Sequence, residues 1–250
     1  KLHYIGLLTT MQQPELAEAI ESARKRYGSH RIGCFVGTIT GGSDEYERVY
    51  QDGSVYVRNA RHRTIDEYHV NGGMITVTLF IRRFLGITGP YGAIGTACSS
   101  SAKVFASAAR AIEAGLCDAA IVAGAEGFSQ TLLHGFRNLG VLSTNPCRPW
   151  DRQRDGINIG AAAGFVLLER SPASPHNMRL VGFGETSDGY HMTAPHPEGI
   201  GVELSMRKAL QSAGLRPQEI DYINVHGSAT PMNDTSEDAA IHRILGTGLT

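Results

Sequence analysis

The stretch Gly95-Thr-Ala-Cys98-Ser-Ser-Ser101 joins two different hydrophobic patterns. A short run ending in Gly-Pro-Tyr-Gly-Ala-Ile precedes it, and apolar residues at helical spacing follow it. Cys98 is therefore predicted at a strand-to-helix turn, where free backbone N–H groups and the helix dipole stabilise negative charge. Such a setting favours a reactive thiolate, and the small neighbours leave room for a substrate. The predicted helical stripe comprises Ala102, Phe105, Ala109, Ile112 and Leu116.

The composition is that of an ordinary soluble globular protein. The 250 residues are 42% hydrophobic and 19% charged, with a formal net charge of -1. That apolar content is enough for a sizeable core, and the balanced charge gives no reason to expect nucleic acid or an anionic membrane as a partner. No apolar run approaches about 18 residues, so no membrane-spanning segment is expected.

The four cysteines lie far apart and form no CxxC pair, so neither a zinc site nor any other metal site is expected. Scattered thiols in a chain of this length are typical of a reducing cytoplasm, which is the predicted location. Cys34, Cys117 and Cys147 are each interpreted as small buried hydrophobic residues.

Strand and helix patterns alternate along the chain, which indicates a layered α/β fold. Helices are predicted over 14–27, 71–85 and from Cys98 to about Leu116, and buried strands over 32–37, 119–124 and 164–169. A second strand-helix-strand pattern runs from Arg179 to about Val225, and a last helix is expected to begin near Asp234 as its N-cap.

Further motifs follow Cys98 in a fixed order. They are Arg148-Pro-Trp-Asp151, Arg154-Asp-Gly156, Ser187-Asp188 with His191-Met-Thr193, and Asn224-Val-His226-Gly-Ser-Ala-Thr230-Pro. Together with Thr96-Ala-Cys98-Ser-Ser they resemble the β-ketoacyl-acyl-carrier-protein synthases, the elongating, decarboxylating condensing enzymes of the thiolase superfamily. The resemblance runs from about Leu16 to the end of the sequence.

The resemblance implies a thiolase-like fold with αβαβα layers. An N-terminal half over 1–170 would carry the nucleophile, and 178–250 would begin a C-terminal half that is incomplete in this chain, with Ser171–Asn177 as the linker. The family's second histidine, lysine and glycine-rich loop do not occur in the sequence, so we expect a chain truncated at both ends, with an open sheet edge and exposed apolar surface in its second half.

The resemblance also implies the chemistry of a decarboxylative Claisen condensation in fatty-acid or polyketide-type biosynthesis. Cys98 would accept an acyl chain from an acyl-carrier protein, and His226 would promote decarboxylation of a malonyl-carrier protein. Ser228 and Thr230 match hydroxyls that bind the pantetheine arm, and Glu237 matches a glutamate that supports the site. No cofactor is expected, because the phosphopantetheine arrives on the carrier protein.

The same resemblance implies a homodimer, or a heterodimer with a related synthase subunit, in which strands such as Ala119–Gly124 pair near a two-fold axis. Three alternatives stay open at this point: a catalytically incomplete synthase fragment, a chain-length-factor-like scaffold partner, and a cysteine hydrolase or non-decarboxylating thiolase. His191 and His196 are interpreted as loop structure.

The sequence departs from the family pattern at two places. It has His226-Gly-Ser-Ala-Thr230 where the family has HGTGT, and it has no acidic residue over 159–164.

Overall fold

A computed structural model of the chain describes residues 10–41, 43, 47, 73–170, 178–191 and 193–246. The chain divides into two compact units. Unit 1 comprises Lys1–His134 with Gly160–Ser174, and unit 2 comprises Gly135–Ile159 with Pro175–Thr250. Residues 135–159, which the sequence-based division placed in the first half, therefore cluster with the second unit. The linker predicted at Ser171–Asn177 lies outside the described residues.

Unit 1 is built on a four-stranded sheet in the order β2-β1-β3-β4. The strands are β1 (Ile32–Gly37), β2 (Tyr91–Ile94), β3 (Ala119–Glu126) and β4 (Ala162–Glu169). β1 runs parallel to both β2 and β3, whereas β4 is antiparallel to β3. The two central strands are rich in small and β-branched residues and are almost entirely buried, as expected for strands covered on both faces.

Helices cover both faces of this sheet. Helix α1 (Pro14–Tyr27) and helix α2 (Ile75–Leu85) pack on one face, and helix α3 (Ser100–Glu113) packs on the other. Gly86 ends α2 in the left-handed conformation, with φ of 61°, as its sequence position indicated. The predicted elements of unit 1 are thus confirmed, with small differences at their ends.

The buried face of α3 differs from the predicted stripe. Its fully buried positions are Val104 and Ala108, with Ala111 and Ile112 one turn later, whereas Leu116 is 60% exposed beyond the helix end. Alanine occurs on several faces of this helix, so apolar spacing alone fits more than one register. Packing against Ala120 and Val122 of β3 selects the observed register.

Helix α4 (Gln130–Asn138) falls in a stretch that the sequence predicted to be loop-rich. None of its residues is fully buried, but Leu132, Leu133 and Phe136 are half-buried and lie on one stripe of the helix. These apolar residues recur at helical spacing, so the signal for the helix was present in the sequence and was missed.

Unit 2 contains helix α5 (Ile200–Ala213) and helix α6 (Pro231–Leu245). The strands predicted on either side of α5 are not formed: within its described residues, unit 2 has no paired strand. Residues 178–186 nevertheless lie tightly on α5, since a Cβ at Gly184 would come within 1.9 Å of the Ser205 carbonyl oxygen. The predicted exposed apolar surface is present, with Val181 52% and Tyr222 79% exposed.

The start of α6 differs from the prediction. Its N-cap is Thr230 and Pro231 occupies the first turn, so Asp234 lies inside the helix rather than at its cap. Proline is favoured at a first helical position because the missing N–H has no helical acceptor there. This shift places the Asp234 carboxylate one turn deeper than expected.

The dimer strand assigned from the sequence is wrong. Ala119–Gly124 belongs to β3, which pairs with β1 on one side and β4 on the other. Both of its hydrogen-bonding edges are therefore occupied within unit 1, so it has no edge to offer to another subunit. Among the described residues, no helix has the length and hydropathy to cross a membrane.

Candidate active site

Cys98 lies in the short turn between β2 and α3 and is exposed. The residue before it, Ala97, has a φ of 52°, which is the left-handed region. That conformation costs a residue with a Cβ roughly 1–2 kcal/mol, so the surrounding contacts must hold it in place. The predicted strand-to-helix turn is thus present, with Cys98 two residues before the first residue of α3.

Two serine hydroxyls hold this turn. Ser100 Oγ accepts the Thr96 N–H at 2.8 Å and donates to the Ala97 carbonyl at 2.6 Å. Ser99 Oγ donates to the Thr96 carbonyl at 2.7 Å. The hydroxyls therefore act as local hydrogen-bonding groups of the backbone, a use of serine that the sequence analysis did not identify.

Gly37 lets α3 approach the sheet closely beside the thiol. A Cβ at Gly37, the last residue of β1, would lie 2.5 Å from the carbonyl group of Ser100. No real side chain tolerates that distance from backbone atoms, so this position requires glycine. The first turn of α3 is thereby pressed against the end of the central strand, which fixes where Cys98 emerges.

A cavity of about 600 Å³ opens beside Cys98 within unit 1. The exposed thiol therefore faces a space whose walls are mainly apolar, the kind of surface that holds hydrocarbon. The apolar side chains lining it include Ile39, Phe105, Val122, Phe165 and Val166.

The other cysteines differ from Cys98. Cys34 is fully buried in the core, and this burial raises the pKa of its thiol to about 12. Burial also raises the pKa of Cys117. The buried interpretation is confirmed for these two, whereas Cys147 is exposed because it lies in the loop that precedes Arg148. Cys34 and Cys117 are thus held as inert thiols.

His226 is exposed and stands at the start of the loop that leads into α6. The Glu237 carboxylate, from the second turn of α6, accepts the backbone N–H of His226 at 2.7 Å and that of Gly227 at 2.9 Å. Glu237 is only 6% exposed. Its predicted association with the polar network around His226 therefore takes the form of a carboxylate that fixes the backbone of the loop.

Asp234, in the first turn of α6, is a second buried carboxylate that binds this loop, and this function was not predicted from the sequence. It is 2% exposed and accepts the N–H of Trp150 at 2.8 Å and that of Ala229 at 3.1 Å. Arg154 Nε lies 3.6 Å from it and balances its charge. The available signal was the Thr230-Pro231 pair, which marks the helix start and places Asp234 within reach of the loop.

Ala229 is held on both sides. It is fully buried with φ of 61°, its N–H is bound by Asp234, and its carbonyl accepts the Gly156 N–H at 3.0 Å. The residues on either side, Ser228 and Thr230, bring their hydroxyl oxygens to 2.9 Å. The loop thus presents two neighbouring hydroxyls on a constrained backbone.

The predicted loop role of His191 and His196 agrees with their contacts. His191 Nδ1 accepts the N–H groups of Thr193 and Ala194 at 3.1 and 3.2 Å. His196 Nδ1 accepts the Glu198 N–H at 3.2 Å. Both rings therefore serve the conformation of their own loop.

The predicted site residues fall into two groups. Unit 2 brings together His226, Ser228, Thr230 and Glu237, whereas Cys98 belongs to unit 1. Among the described residues, no three His, Cys, Asp or Glu side chains form a metal-binding group. Chemically, Cys98 offers a thiol beside an apolar cavity, and the residues of unit 2 offer an imidazole with adjacent hydroxyls.

Known proteins are similar to this chain in sequence and in fold. Profiles of the "Beta-ketoacyl synthase, N-terminal domain" and "Beta-ketoacyl synthase, C-terminal domain" match residues 9–173 and 178–249. The chain is 34% identical over 230 residues to the 3-oxoacyl-[acyl-carrier-protein] synthase 2 of Staphylococcus aureus, covering 86% of this chain and 56% of that protein. The corresponding protein of Vibrio cholerae is 36% identical over 231 residues, covering 86% and 54%.

Solved structures of ketosynthases are similar to this chain in fold. The ketosynthase ApeO, in complex with its chain length factor ApeC, from Xenorhabdus doucetiae has a TM-score of 0.85 at 38% identity, covering 98% of this chain and 59% of that one. A Burkholderia phymatum β-ketoacyl synthase has a TM-score of 0.79 at 27% identity, covering 92% and 58%. The predicted thiolase-like α/β fold is confirmed, and the chain spans little more than half the length of these proteins. From its profiles, relatives and fold, the chain belongs to the β-ketoacyl synthase family.

Proposed function

We propose that the protein is a β-ketoacyl-acyl-carrier-protein synthase that uses Cys98 as its acyl acceptor. The observation that carries this proposal is the exposed Cys98 thiol on a constrained turn beside an apolar cavity of about 600 Å³. A thioester-forming nucleophile needs access to its substrate, and the acyl chain needs an apolar wall. Cys34 and Cys117, which are buried, meet neither requirement.

In the first half-reaction, Cys98 Sγ attacks the carbonyl carbon of an acyl-carrier-protein thioester. A new C–S bond forms, the original C–S bond breaks, and the carrier thiolate leaves with the proton that Cys98 gave up. The exchange of one thioester for another is near thermoneutral. The Cys98 backbone N–H stabilises the oxyanion of the tetrahedral intermediate.

In the second half-reaction, a malonyl-carrier protein loses CO₂, and the electron pair of the broken C–C bond becomes an enolate. A ring N–H of His226 stabilises the enolate oxygen, and Ser228 and Thr230 bind the pantetheine arm through their paired hydroxyls. The enolate carbon then attacks the Cys98 thioester, which forms the new C–C bond, breaks the C–S bond to Cys98 and releases Cys98 as a thiolate. Glu237 and Asp234 support this half-reaction by fixing the loop backbone.

The acyl-acceptor role is tested by intact-mass analysis of the complete protein after incubation with hexanoyl-acyl-carrier protein. We expect an increase of one hexanoyl group, which peptide mapping assigns to Cys98. The Cys98→Ser variant should carry no thioester, and Cys147→Ala, which removes the other exposed thiol of the described residues, should be acylated like the wild type. An adduct on Cys147, or none, would contradict the proposal and favour a scaffold role.

We also propose that the protein dimerises through the edge strand β2, since ApeO is in complex with a chain length factor. Within the described residues, β2 pairs only with β1, and Tyr91 at its start is 48% exposed under the Arg82 guanidinium. Phe84, on the adjacent helix α2, is 43% exposed. An unpaired edge beside exposed aromatic rings fits a strand-to-strand interface.

Sedimentation velocity tests this interface. A lysine at an edge position disfavours strand pairing, so Tyr91→Lys should raise the dimer dissociation constant at least tenfold. Leu116→Lys places the same charge on another exposed apolar residue of unit 1 and should leave the constant unchanged. Equal behaviour of Tyr91→Lys and the wild type would exclude β2 as the interface.

A further inference from the structure

The peptide group between Ala97 and Cys98 determines where the Cys98 N–H points. A peptide group is planar and trans, so the Ala97 carbonyl and the Cys98 N–H point in opposite directions. Ser100 supplies two donors to that carbonyl: its Oγ lies 2.6 Å and its backbone nitrogen 3.0 Å from the oxygen. A carbonyl fixed by two donors also fixes the direction of the N–H on the other side of the same plane.

Ser100 is itself well fixed. It is 3% exposed, and its Oγ receives the Thr96 N–H at 2.8 Å while donating to Ala97. Its backbone is pressed against Gly37 at the end of β1. The hydroxyl therefore spans the strained residue Ala97 from a rigid position and links the backbone on both sides of it.

Ser99 lacks this relation to the 97–98 peptide. Its exposed hydroxyl donates to the Thr96 carbonyl at 2.7 Å and lies 3.0 Å from Thr96 Oγ1. These contacts hold the residue before Ala97 and leave the Ala97 carbonyl to Ser100. The two adjacent serines are thus chemically identical but have different effects on the backbone.

Building on the proposed acyl-transfer function, we infer that Ser100 is a positioning residue that aims the Cys98 backbone N–H at the oxygen of the thioester carbonyl under attack. As the Cys98 Sγ–C bond forms, the carbonyl π electrons move to that oxygen, and the resulting oxyanion accepts the N–H. Collapse of the intermediate expels the donor thiolate, which takes up the Cys98 proton. The oxyanion exists only in this step, so the direction of the N–H affects this step most.

Two reactions of the same thiol separate this role from a general loosening of the turn. Acylation by the hexanoyl thioester of N-acetylcysteamine passes through an oxyanion, whereas alkylation by iodoacetamide displaces iodide at a saturated carbon and forms none. For Ser100→Ala in the complete protein, we expect the rate of Cys98 acylation to fall at least tenfold and the rate of alkylation to stay within threefold. Losing an oxyanion donor outright costs about 100- to 1000-fold, so a misdirected donor should cost less.

The control variants are chosen from the same helix. Ser100→Thr keeps the hydroxyl and should recover most of the acylation rate. Ser107→Ala makes the same chemical change two turns further along α3, and both rates should equal those of the wild type. If Ser100→Ala does not fold, as judged by its thermal transition, Ser100→Gly removes the same hydroxyl with less demand on the turn.

The outcomes distinguish this inference from the function on which it rests. A wild-type protein that is alkylated but never acylated contradicts the proposed function and this role of Ser100 with it. An acylated wild type whose Ser100→Ala variant is acylated equally fast overturns the role of Ser100 alone. A parallel fall in acylation and alkylation also overturns it, because that result reports loss of thiol reactivity rather than a misdirected N–H.

Discussion

The Cys98 turn and the His226–Thr230 loop both hold an alanine in a strained backbone conformation, but with different side-chain chemistry. Each contains an alanine in the left-handed region, Ala97 with φ of 52° and Ala229 with φ of 61°. The neutral Ser100 hydroxyl spans the first alanine, whereas the Asp234 carboxylate binds the second. A constrained backbone beside a candidate functional residue is thus common to both regions, whereas the charge of the restraining group differs.

The difference in charge has a physical reason. A carboxylate beside Cys98 would repel a thiolate and an oxyanion, whereas a hydroxyl holds the backbone without adding negative charge. At the His226 loop the restraining group is the Asp234 carboxylate, and carboxylates accept backbone N–H groups more strongly than neutral oxygens do. Arg154 balances the Asp234 charge, which makes burial of that carboxylate tolerable. The comparison predicts that the charged restraint contributes more to stability.

The largest effect is expected for Asp234→Ala. The substitution leaves the N–H groups of Trp150 and Ala229 without their acceptor and the Arg154 guanidinium without its counter-charge. Breaking a buried ion pair from one side costs about 3–5 kcal/mol, so we expect the free energy of unfolding to fall by about 3 kcal/mol. Urea denaturation followed by circular dichroism measures this change.

Asp238→Ala is the matched control for that experiment. Asp238 lies on the same helix, but its side chain is 45% exposed and contacts only His242 among the described ion pairs. Its substitution should change the free energy of unfolding by no more than about 0.5 kcal/mol. If the two variants were equally stable, the buried carboxylate would not be the restraint that the geometry indicates.

A smaller effect distinguishes the two alanines. Replacing either alanine with glycine removes the left-handed strain of about 1–2 kcal/mol from the folded state. Glycine also stabilises the unfolded state by roughly 0.4–1 kcal/mol, because it has more backbone freedom there. Ala97 is exposed, so Ala97→Gly should stabilise the protein by about 0.5–1 kcal/mol. Ala229 is fully buried, and losing its methyl costs about 0.8 kcal/mol more, so Ala229→Gly should be close to neutral.

Thermal unfolding of both glycine variants beside the wild type tests this difference. The comparison between the regions would fail if Ala229→Gly were the more stabilised of the two. That order would mean that the buried methyl contributes nothing, and that the packing around Ala229 is looser than its full burial implies.

The sequence predicted the fold of unit 1 and the identity of the candidate groups more fully than it predicted how they are held. Strands such as Ile32–Gly37 and Ala119–Glu126 are short apolar runs whose composition identifies them. Helix α4 was missed although Leu132, Leu133 and Phe136 recur at helical spacing. The strands around α5 were predicted from apolar runs that find no pairing partner among the described residues. A strand needs a neighbour, which composition does not supply.

By itself, the sequence determined the chemistry that each position offers: a thiol at Cys98 between a strand and a helix, an imidazole at His226, and hydroxyls at Ser228 and Thr230. Those properties are local, since they depend on residue type and on spacing along the chain. Only the tertiary structure decided that β3 is a central strand, that Cys147 is exposed, and that Asp234 and Ser100 hold turns. Such properties depend on distances across the fold, where a carboxylate or hydroxyl binds whichever backbone N–H the packing brings within about 3 Å.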